Sequence, residues 1–242
     1  MKALGRLLLL VLCATLLLQL FFVARIAVMA WLDPESTSYQ RSEAWQLVHS
    51  SEGLRWRQQW VDYDQISGSL KRAVIASEDA GFMEHHGVEW NAVQRAWQRN
   101  AQAEARAMQA EKAGSNSKPA KVYGGSTITQ QLAKNLLLSG ERTLLRKGQE
   151  FVLTLALEQL LSKQRILEIY LNNVEWGEGV FGAEAAAQHY FRKSASRLST
   201  AEAARLAVML PAPKRFEKTP GSAYLAGRTR TILGRMGGAE LP

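Results

Sequence analysis

Residues 76–87 read ASEDAGFMEHHG: two adjacent acids are followed, after a short gap with one aromatic residue, by two adjacent histidines and a glycine. A helical zinc site of the HExxH type places both histidines on one face of a helix. Adjacent histidines point in different directions, and the sequence has no second cluster of cysteines and histidines. The stretch is therefore a poor zinc site. It is either a helix end with solvated acids or an acid–base site.

A second stretch, GGSTITQQLAKN at 124–135, has the composition of an anion-binding helix start. Its two glycines permit a tight backbone approach, and its first turns carry hydroxyl and amide side chains. Gln130 and Lys134 are four residues apart and share a helix face. The GxxxxGK[ST] pattern of a Walker loop is absent. The stretch suits a ligand with anionic oxygens, although a capped amphipathic helix without a ligand fits the same pattern.

Basic residues accumulate in the segment that follows, which includes ERTLLRKGQE at 141–150. Between residues 118 and 147 the chain has six basic residues and one acid. Arg142, Arg146 and Lys147 lie close in sequence to a further acid, Glu150. A run of charge is usually a solvated face. Here it is interleaved with hydroxyl and amide groups, which favours a binding site.

The composition limits the class of protein. The chain has 242 residues, 47% hydrophobic and 21% charged, so it can bury a sizeable core. The formal net charge of +8 fits an anionic partner such as nucleic acid, phosphate or an anionic membrane surface. There is one cysteine, Cys13, so no disulfide framework exists within the chain.

Residues 7–24 form an apolar run of about one bilayer's helix length. Arg25 interrupts it near its end, where an arginine can snorkel to the headgroups, and Trp31 sits where an interfacial aromatic residue belongs. A cleaved signal peptide with a site near residues 28–30 is the alternative, but the apolar stretch is long for one. We therefore expect a retained anchor. Positive charge before the span predicts a cytoplasmic N-terminus and a folded body outside.

The rest of the chain indicates a mainly α body. We expect a cytoplasmic tip and anchor over 1–32, a linker and lead-in segment over 33–70 and a folded domain over 71–242. No convincing run of alternating strands is present. Ser199 or Thr200 can cap the last clear helix. Helical patterns cover residues 88–113, 126–138, 146–172, 182–190 and 200–210.

These motifs together resemble a known family. EDAGFMEHHG is similar to the EDxxFxxHxG motif of the family 51 glycosyltransferases, the peptidoglycan polymerases, and GGSTITQQLAKN and RKGQE are similar to its second and third motifs. The resemblance covers about residues 71–217 and implies a lysozyme-like, mainly α domain. The 36 residues between the first two motifs exceed what the family leads us to expect, so we predict an insertion at about 100–122.

The resemblance also implies a monofunctional enzyme without transpeptidase activity. Residues 115–118 spell SxxK and residues 218–221 nearly spell KTG. We interpret both as accidents in loops, because a serine penicillin-binding site needs a whole domain around it.

The implied reaction is polymerisation of lipid II into β-1,4-linked glycan, with inversion and release of undecaprenyl diphosphate. By resemblance, Glu78 is the general base and Glu150 is the second essential carboxylate, which holds the basic cluster or an ion at the diphosphate. The residues implied to bind substrate and diphosphate are Ser126, Gln130, Gln131, Lys134, Arg142 and Lys147. The residues implied to shape the first motif are Asp79, Phe82, His85 and Gly87.

The resemblance further implies partners and a location. A Mg²⁺ or Mn²⁺ ion at the substrate diphosphate is expected, although the sequence shows no metal cage. Expected partners are lipid II, the growing glycan strand, membrane lipid and cell-wall synthesis or division proteins, and the expected location is the inner membrane with a periplasmic catalytic domain. Rival interpretations are a lysozyme-like hydrolase or lytic transglycosylase, an inactive glycan-binding scaffold, and a nucleic-acid binder, which an exported body disfavours.

Overall fold

A computed structural model describes residues 2–50, 53, 55–112, 124–138, 140–141 and 143–242. Within these ranges the protein is mainly α, as the sequence predicts. The helices are α1 (Lys2–Val28), α2 (Ser38–Val48), α3 (Gly68–Glu78), α4 (Trp90–Lys112), α5 (Ile128–Leu137), α6 (Leu144–Leu160), α7 (Lys163–Asn173), α8 (Ala183–Phe191), α9 (Thr200–Met209), α10 (Pro213–Lys218) and α11 (Ala223–Arg235).

A small three-stranded sheet was not anticipated. Its strands are β1 (Arg57–Gln58), β2 (Glu175–Gly177) and β3 (Val180–Phe181), in the order β1-β3-β2. β1 runs parallel to β3, and β2 runs antiparallel to it. Strands of two or three residues are too short to show an alternating pattern, so the sequence contains no signal for them.

The predicted single helix over 146–172 is wrong, because the structure divides it into α6 and α7. Leu161 has extended backbone angles, and Ser162 caps α7 by accepting a hydrogen bond from the backbone N–H of Arg165 at 3.1 Å. Apolar residues continue at helical spacing through both helices, so periodicity alone hides the break. The start of α9 is as predicted: Ser199 caps it in a capping box with Glu202.

The core forms around α7, whose side chains from Ile166 to Leu171 include five that are at most 1% exposed. α3 packs on α9, and α9 packs on α11. The fully buried residues of these helices include small or branched ones, such as Ala73 and Val74 of α3 and Ala203 and Ala207 of α9. Small side chains let these helices approach closely, which fixes the end of α3, where Glu78 lies.

Helix α1 is both a candidate membrane span and a part of the core. Its most apolar stretch of 18 residues has a mean hydropathy of 2.8, and the helix is long and apolar enough to cross a membrane. Ile26 and Met29 beyond its exposed part are buried in the core. Nearer the N-terminus of α1, the side-chain amide of Gln19 and that of Gln149 in α6 donate hydrogen bonds to each other, at 2.8 and 3.0 Å.

Regular secondary structure lies on both sides of the predicted segment boundaries. Residues 33–70 contain α2 and β1, and α2 packs on α5. Helix α4 continues without a break into the predicted insertion at 100–122, of which residues 113–122 lie outside the described part of the chain. The boundaries of the domains and of the insertion stay predictions.

Gly182 should tolerate no side chain. Its φ is +85°, and a Cβ there would lie 2.7 Å from the backbone carbonyl oxygen of Asn172. Gly182→Ala should destabilise the fold by about 3 kcal/mol, through left-handed backbone strain and overpacking. Thermal melting of the purified protein in detergent measures this. Gly234→Ala, with open space around it on α11, should be neutral or slightly stabilising, and equal melting of the two variants would contradict the prediction.

Candidate active site

A cleft of about 700 Å³ gathers most of the residues that the motifs single out. It lies between the end of α3, α5, the start of α6 and the α9–α10 connection. Arg142 of the predicted set lies outside the described residues. The predicted residues that line the cleft are Glu78, Ser126, Gln130, Gln131, Lys134, Lys147 and Glu150.

Glu78 is the last residue of α3 and is held by two hydrogen bonds. Gln131 Nε2 donates to Glu78 Oε2 at 3.1 Å, and Ser77 Oγ donates to Glu78 Oε1 at 3.2 Å. The buried hydroxyl of Tyr170 donates to Gln131 Oε1 at 3.0 Å and thereby fixes the orientation of the amide. Burial raises the pKa of Glu78, while the bonds from Gln131 and Ser77 and the charge of Arg228 oppose this rise. The arrangement gives a carboxylate that is more basic than an ordinary glutamate and points in a fixed direction.

Asp79, 5% exposed, joins the first motif to the second. Its Oδ2 accepts the backbone N–H of Ile128 in the first turn of α5 at 3.0 Å, and its Oδ1 lies 2.8 Å from His85 Nε2. His85 Nδ1 accepts the backbone N–H of Gly87 at 3.1 Å, so Nε2 carries the proton and donates to Asp79. The carboxylate therefore holds the end of α3 against the start of α5.

Gly87 completes the junction. Its carbonyl accepts the hydroxyl of Thr127 at 2.6 Å, and a Cβ on this glycine would lie 2.7 Å from Thr154 Cγ2 of α6. The close approach explains why the first motif ends in a glycine.

A buried ion pair, Glu158 with Lys163, supports the loop between α3 and α4 that contains Phe82 and His85. Lys163 Nζ lies 2.9 Å from the carboxylate of Glu158, donates to the carbonyl of His85 at 2.7 Å and sits over the ring of Phe82 at 4.5 Å. Thr129 also donates to Glu158, at 2.5 Å. Glu158 and Lys163 therefore have a structural role beneath the cleft, and Phe82, fully buried, is part of the packing.

The start of α5 is a capping box that includes Gln130, one of the residues predicted to bind substrate. Gln130 Oε1 accepts the backbone N–H of Thr127 at 3.1 Å, and Thr127 Oγ1 accepts the backbone N–H of Gln130 at 3.1 Å. The carbonyl oxygen of Gln130 is thus committed to the cap. Gly125 allows close approach to α4, because a Cβ there would lie 2.9 Å from the carbonyl oxygen of Ala92. Ser126 stays exposed at the mouth of the cleft.

The first turns of α6 place two cations on a buried carboxylate. Glu150 is 3% exposed; Arg146 Nη1 donates to its Oε2 at 2.9 Å, and Lys147 donates to its Oε1. An isolated buried carboxylate would be costly, so the two cations stabilise it and it fixes them in turn. Lys134 of α5 is exposed and lines the same cleft. The group of four carries a net positive charge that faces the cleft.

These residues do not by themselves form a divalent-cation site. Among the described residues, no group of three or more Asp, Glu, His or Cys side chains is placed to hold a metal ion. Both oxygens of Glu150 already accept from cations. An ion at this position would have to take its ligands mainly from a bound anion.

Sequence analysis missed three residues that line the cleft, Ser77, Arg146 and Tyr39, and one buried residue behind it, Tyr170. Tyr170 appears in an apolar helical stretch and has the pattern of a core residue. Ser77 is next to Glu78 but has no motif of its own. Arg146 is visible in the basic run, yet it was not assigned to the site. Tyr39 lies in the segment interpreted as a linker, far from every motif.

Comparison with known proteins identifies relatives over nearly the whole chain. Residues 46–237 match the sequence model of the family described as Transglycosylase. The chain is 53% identical over 229 residues to a biosynthetic peptidoglycan transglycosylase of Paraburkholderia xenovorans (strain LB400). The matched residues make up 95% of this chain and 89% of the relative. A protein of the same description from Bordetella pertussis (strain Tohama I) is 49% identical over 232 residues, 96% of this chain and 91% of the relative.

Removal of Lys163 should be strongly destabilising. Lys163→Met leaves the carboxylate of Glu158, whose side chain is 4% exposed, buried without its cation, at a cost of about 3–5 kcal/mol. Thermal melting in detergent measures the loss, and the double variant with Glu158→Gln should recover part of it. Lys193→Met is the matched control: its partner Glu202 lies at the surface, so the cost should stay below about 1 kcal/mol. Similar losses in both variants would contradict the structural role of Lys163.

Proposed function

The chain belongs to the transglycosylase family and is a peptidoglycan glycosyltransferase, and on this premise we propose that it polymerises lipid II into β-1,4-linked glycan strands and releases undecaprenyl diphosphate. One observation carries the proposal. The same cleft contains a partly buried, oriented carboxylate and a cluster of fixed cations. A transfer that deprotonates a hydroxyl and expels a diphosphate requires this pair of features.

In the proposed reaction, the 4-hydroxyl of an acceptor GlcNAc attacks C1 of the donor MurNAc. A new C–O bond forms as the bond from C1 to the diphosphate oxygen breaks, and the configuration inverts from α to β. Glu78 accepts the proton of the attacking hydroxyl, and the bonding electron pair leaves with the diphosphate. Gln131 and Ser77 orient the Glu78 carboxylate for this step.

Charge develops on the leaving diphosphate, and the cations of the cleft are placed to stabilise it. Arg146 and Lys147 are fixed by Glu150, and Lys134 adds a third positive charge. Cations held before the reaction cost no reorganisation during it. In this proposal Glu150 holds the cations and takes no part in proton transfer, because its two oxygens pair with the positive charges of Arg146 and Lys147.

A Mg²⁺ or Mn²⁺ ion remains part of the proposal only as a companion of the substrate. Because the described residues do not form a metal site, such an ion would bind through the phosphate oxygens of lipid II. No step of the proposed mechanism depends on it.

The proposal includes a location and further partners. Helix α1 anchors the protein in a membrane, which we propose to be the inner membrane, with the N-terminus in the cytoplasm and the cleft in the periplasm. Membrane lipid and proteins of cell-wall synthesis or division are proposed partners. We further propose that the chain acts without transpeptidase activity.

Glu78→Gln should abolish polymerisation. The amide cannot accept the proton, so the rate should fall by a factor of about 10² to 10⁴. Purified protein with labelled lipid II, detergent and a divalent ion should give long glycan chains with the wild type and almost none with the variant. Chain length and yield are measured by gel electrophoresis of the products.

Glu84→Gln is the matched control for this experiment, because Glu84 is an exposed glutamate in the same loop. Its activity should equal that of the wild type. Undiminished polymerisation by Glu78→Gln would contradict the assignment of Glu78 as the general base. Release of fragments from preformed glycan, without polymerisation, would favour the hydrolase instead.

The pH dependence should report the environment of Glu78. The base acts in its ionised form, so activity is lost as the pH falls through the pKa of Glu78, which burial raises above the ordinary glutamate value. The acidic limb of kcat/KM should therefore lie above that of an ordinary carboxylate. Gln131→Met removes a hydrogen bond to the ionised form and should move the limb to still higher pH. Gln159 is exposed, and Gln159→Met should leave the acidic limb in place. An acidic limb that moves to lower pH in Gln131→Met would refute the assignment of Glu78 as the base.

A further inference from the structure

The cleft has a wall that the motifs do not account for. Tyr39 lines it together with Leu138, Leu210 and Pro211. Tyr39 belongs to α2 and precedes residue 46, where the family match begins. A residue from outside the matched region therefore borders the cleft that holds Glu78.

The start of α2 is firmly attached to the body. Ser38 Oγ donates to the carbonyl of Leu136 near the end of α5 at 3.1 Å, and Gln40 Nε2 donates to the carbonyl of Asn173 at 3.4 Å. Thr37 and Gln40 close the helix start with a capping box. Tyr39 lies between these attachments, so its backbone is fixed relative to the cleft.

The ring of Tyr39 is fixed as well. Its hydroxyl donates to Glu175 Oε2 at 2.7 Å, and its ring meets that of Phe181 edge-on, with centroids 6.4 Å apart. Glu175 is 5% exposed, and burial raises its pKa to about 7 against the opposing effects of Tyr39 and Lys214. Lys214 Nζ lies 3.5 Å from Glu175 Oε1 and also pairs with Glu43. A buried, charge-supported carboxylate thus holds the phenol in one orientation.

The wall around Tyr39 differs in chemistry from the rest of the cleft. The cations come from α5 and α6, as Lys134, Arg146 and Lys147. Tyr39, Leu138, Leu210 and Pro211 contribute a ring and aliphatic carbon and no charge. Such a surface suits the C–H face of a neutral pyranose, whereas a diphosphate would lose hydration there without gaining a counter-charge.

We propose that Tyr39 is a specificity-determining residue that contacts sugar: its ring packs against the face of an N-acetylated pyranose of the substrate, and Glu175 is the positioning residue that holds the ring. The inference rests on the proposed function, because it assigns one part of the lipid II molecule to one wall of the cleft. It extends the site to the first part of α2, which precedes the matched region of the family.

The test compares full-length Tyr39→Ala with the wild type in detergent. KM and kcat are measured with lipid II, and a sugar-free isoprenyl diphosphate is used as a competing ligand. Tyr39→Ala should raise KM about tenfold, which matches the loss of one aromatic contact, while kcat changes by less than about twofold. Binding of the isoprenyl diphosphate should be unchanged. Tyr39→Phe keeps the ring and its contact with Phe181 but loses the bond to Glu175, so its KM should lie between those of the wild type and of Tyr39→Ala.

Trp45→Ala is the matched control, because Trp45 is an exposed aromatic residue on the same helix whose ring packs on His49 outside the cleft. Its KM should equal that of the wild type. If Tyr39→Ala does not fold, Tyr39→Leu keeps most of the volume and should show the same rise in KM.

Three results would overturn the inference. If the wild type is active and a folded Tyr39→Ala or Tyr39→Leu has an unchanged KM, the contact between Tyr39 and the sugar is contradicted. The proposed function is unaffected by that result. Equal weakening of the isoprenyl diphosphate assigns the wall to the lipid carrier instead of the sugar. A wild type that does not polymerise lipid II removes the proposed function and this inference with it.

Discussion

The carboxylate of Asp79 is the interaction on which the rest of the site depends. It is buried, and it accepts from the first turn of α5 with one oxygen and from His85 with the other. The bond from Ile128 brings the end of α3 to the start of α5, where Gln131 reaches Glu78, and the bond from His85 attaches the loop that follows α3. A neutral side chain would present a donor where two donors already converge, and an apolar one would leave both unpaired. The neighbouring Glu78 is thereby placed by the contacts of Asp79, and its own two oxygens accept from the side chains of Gln131 and Ser77.

The two acids of the proposed site, Glu78 and Glu150, differ because their surroundings differ. Glu78 receives bonds from neutral groups, an amide and a hydroxyl, so burial dominates and its pKa rises. Glu150 is also buried, but it receives Arg146 and Lys147 and forms a compact charged unit. The first arrangement favours proton acceptance, whereas the second keeps cations in place. The chemistry of the cleft thus follows from which side chains surround each carboxylate, since the two acids are the same residue type.

Much of the fold class and most of the motif residues of the cleft could be predicted from the sequence, while several contacts among them could not. Capping signals such as Ser199 with Glu202 are local, and the structure has them where the sequence predicts. The break at Ser162 was missed because apolar periodicity continues across it, and the sheet was missed because its strands are too short. Tyr170 could not be found, because a tyrosine in an apolar helix gives no sign that its hydroxyl reaches Gln131. Tyr39 contacts Glu175 across more than half the chain, a pairing that depends on tertiary structure and leaves no local pattern.

The union of α1 with the core gives the anchor a second consequence. Ile26 and Met29 are core residues, Arg165 donates to the carbonyl oxygens of Met29 and Leu32, and Gln19 is bonded to Gln149 one position before Glu150. These contacts attach α1 to the domain. In the membrane-anchored state proposed above, a tilt or axial rotation of α1 would carry the cleft with it, so the thickness of the bilayer would influence the angle at which the cleft meets the membrane plane.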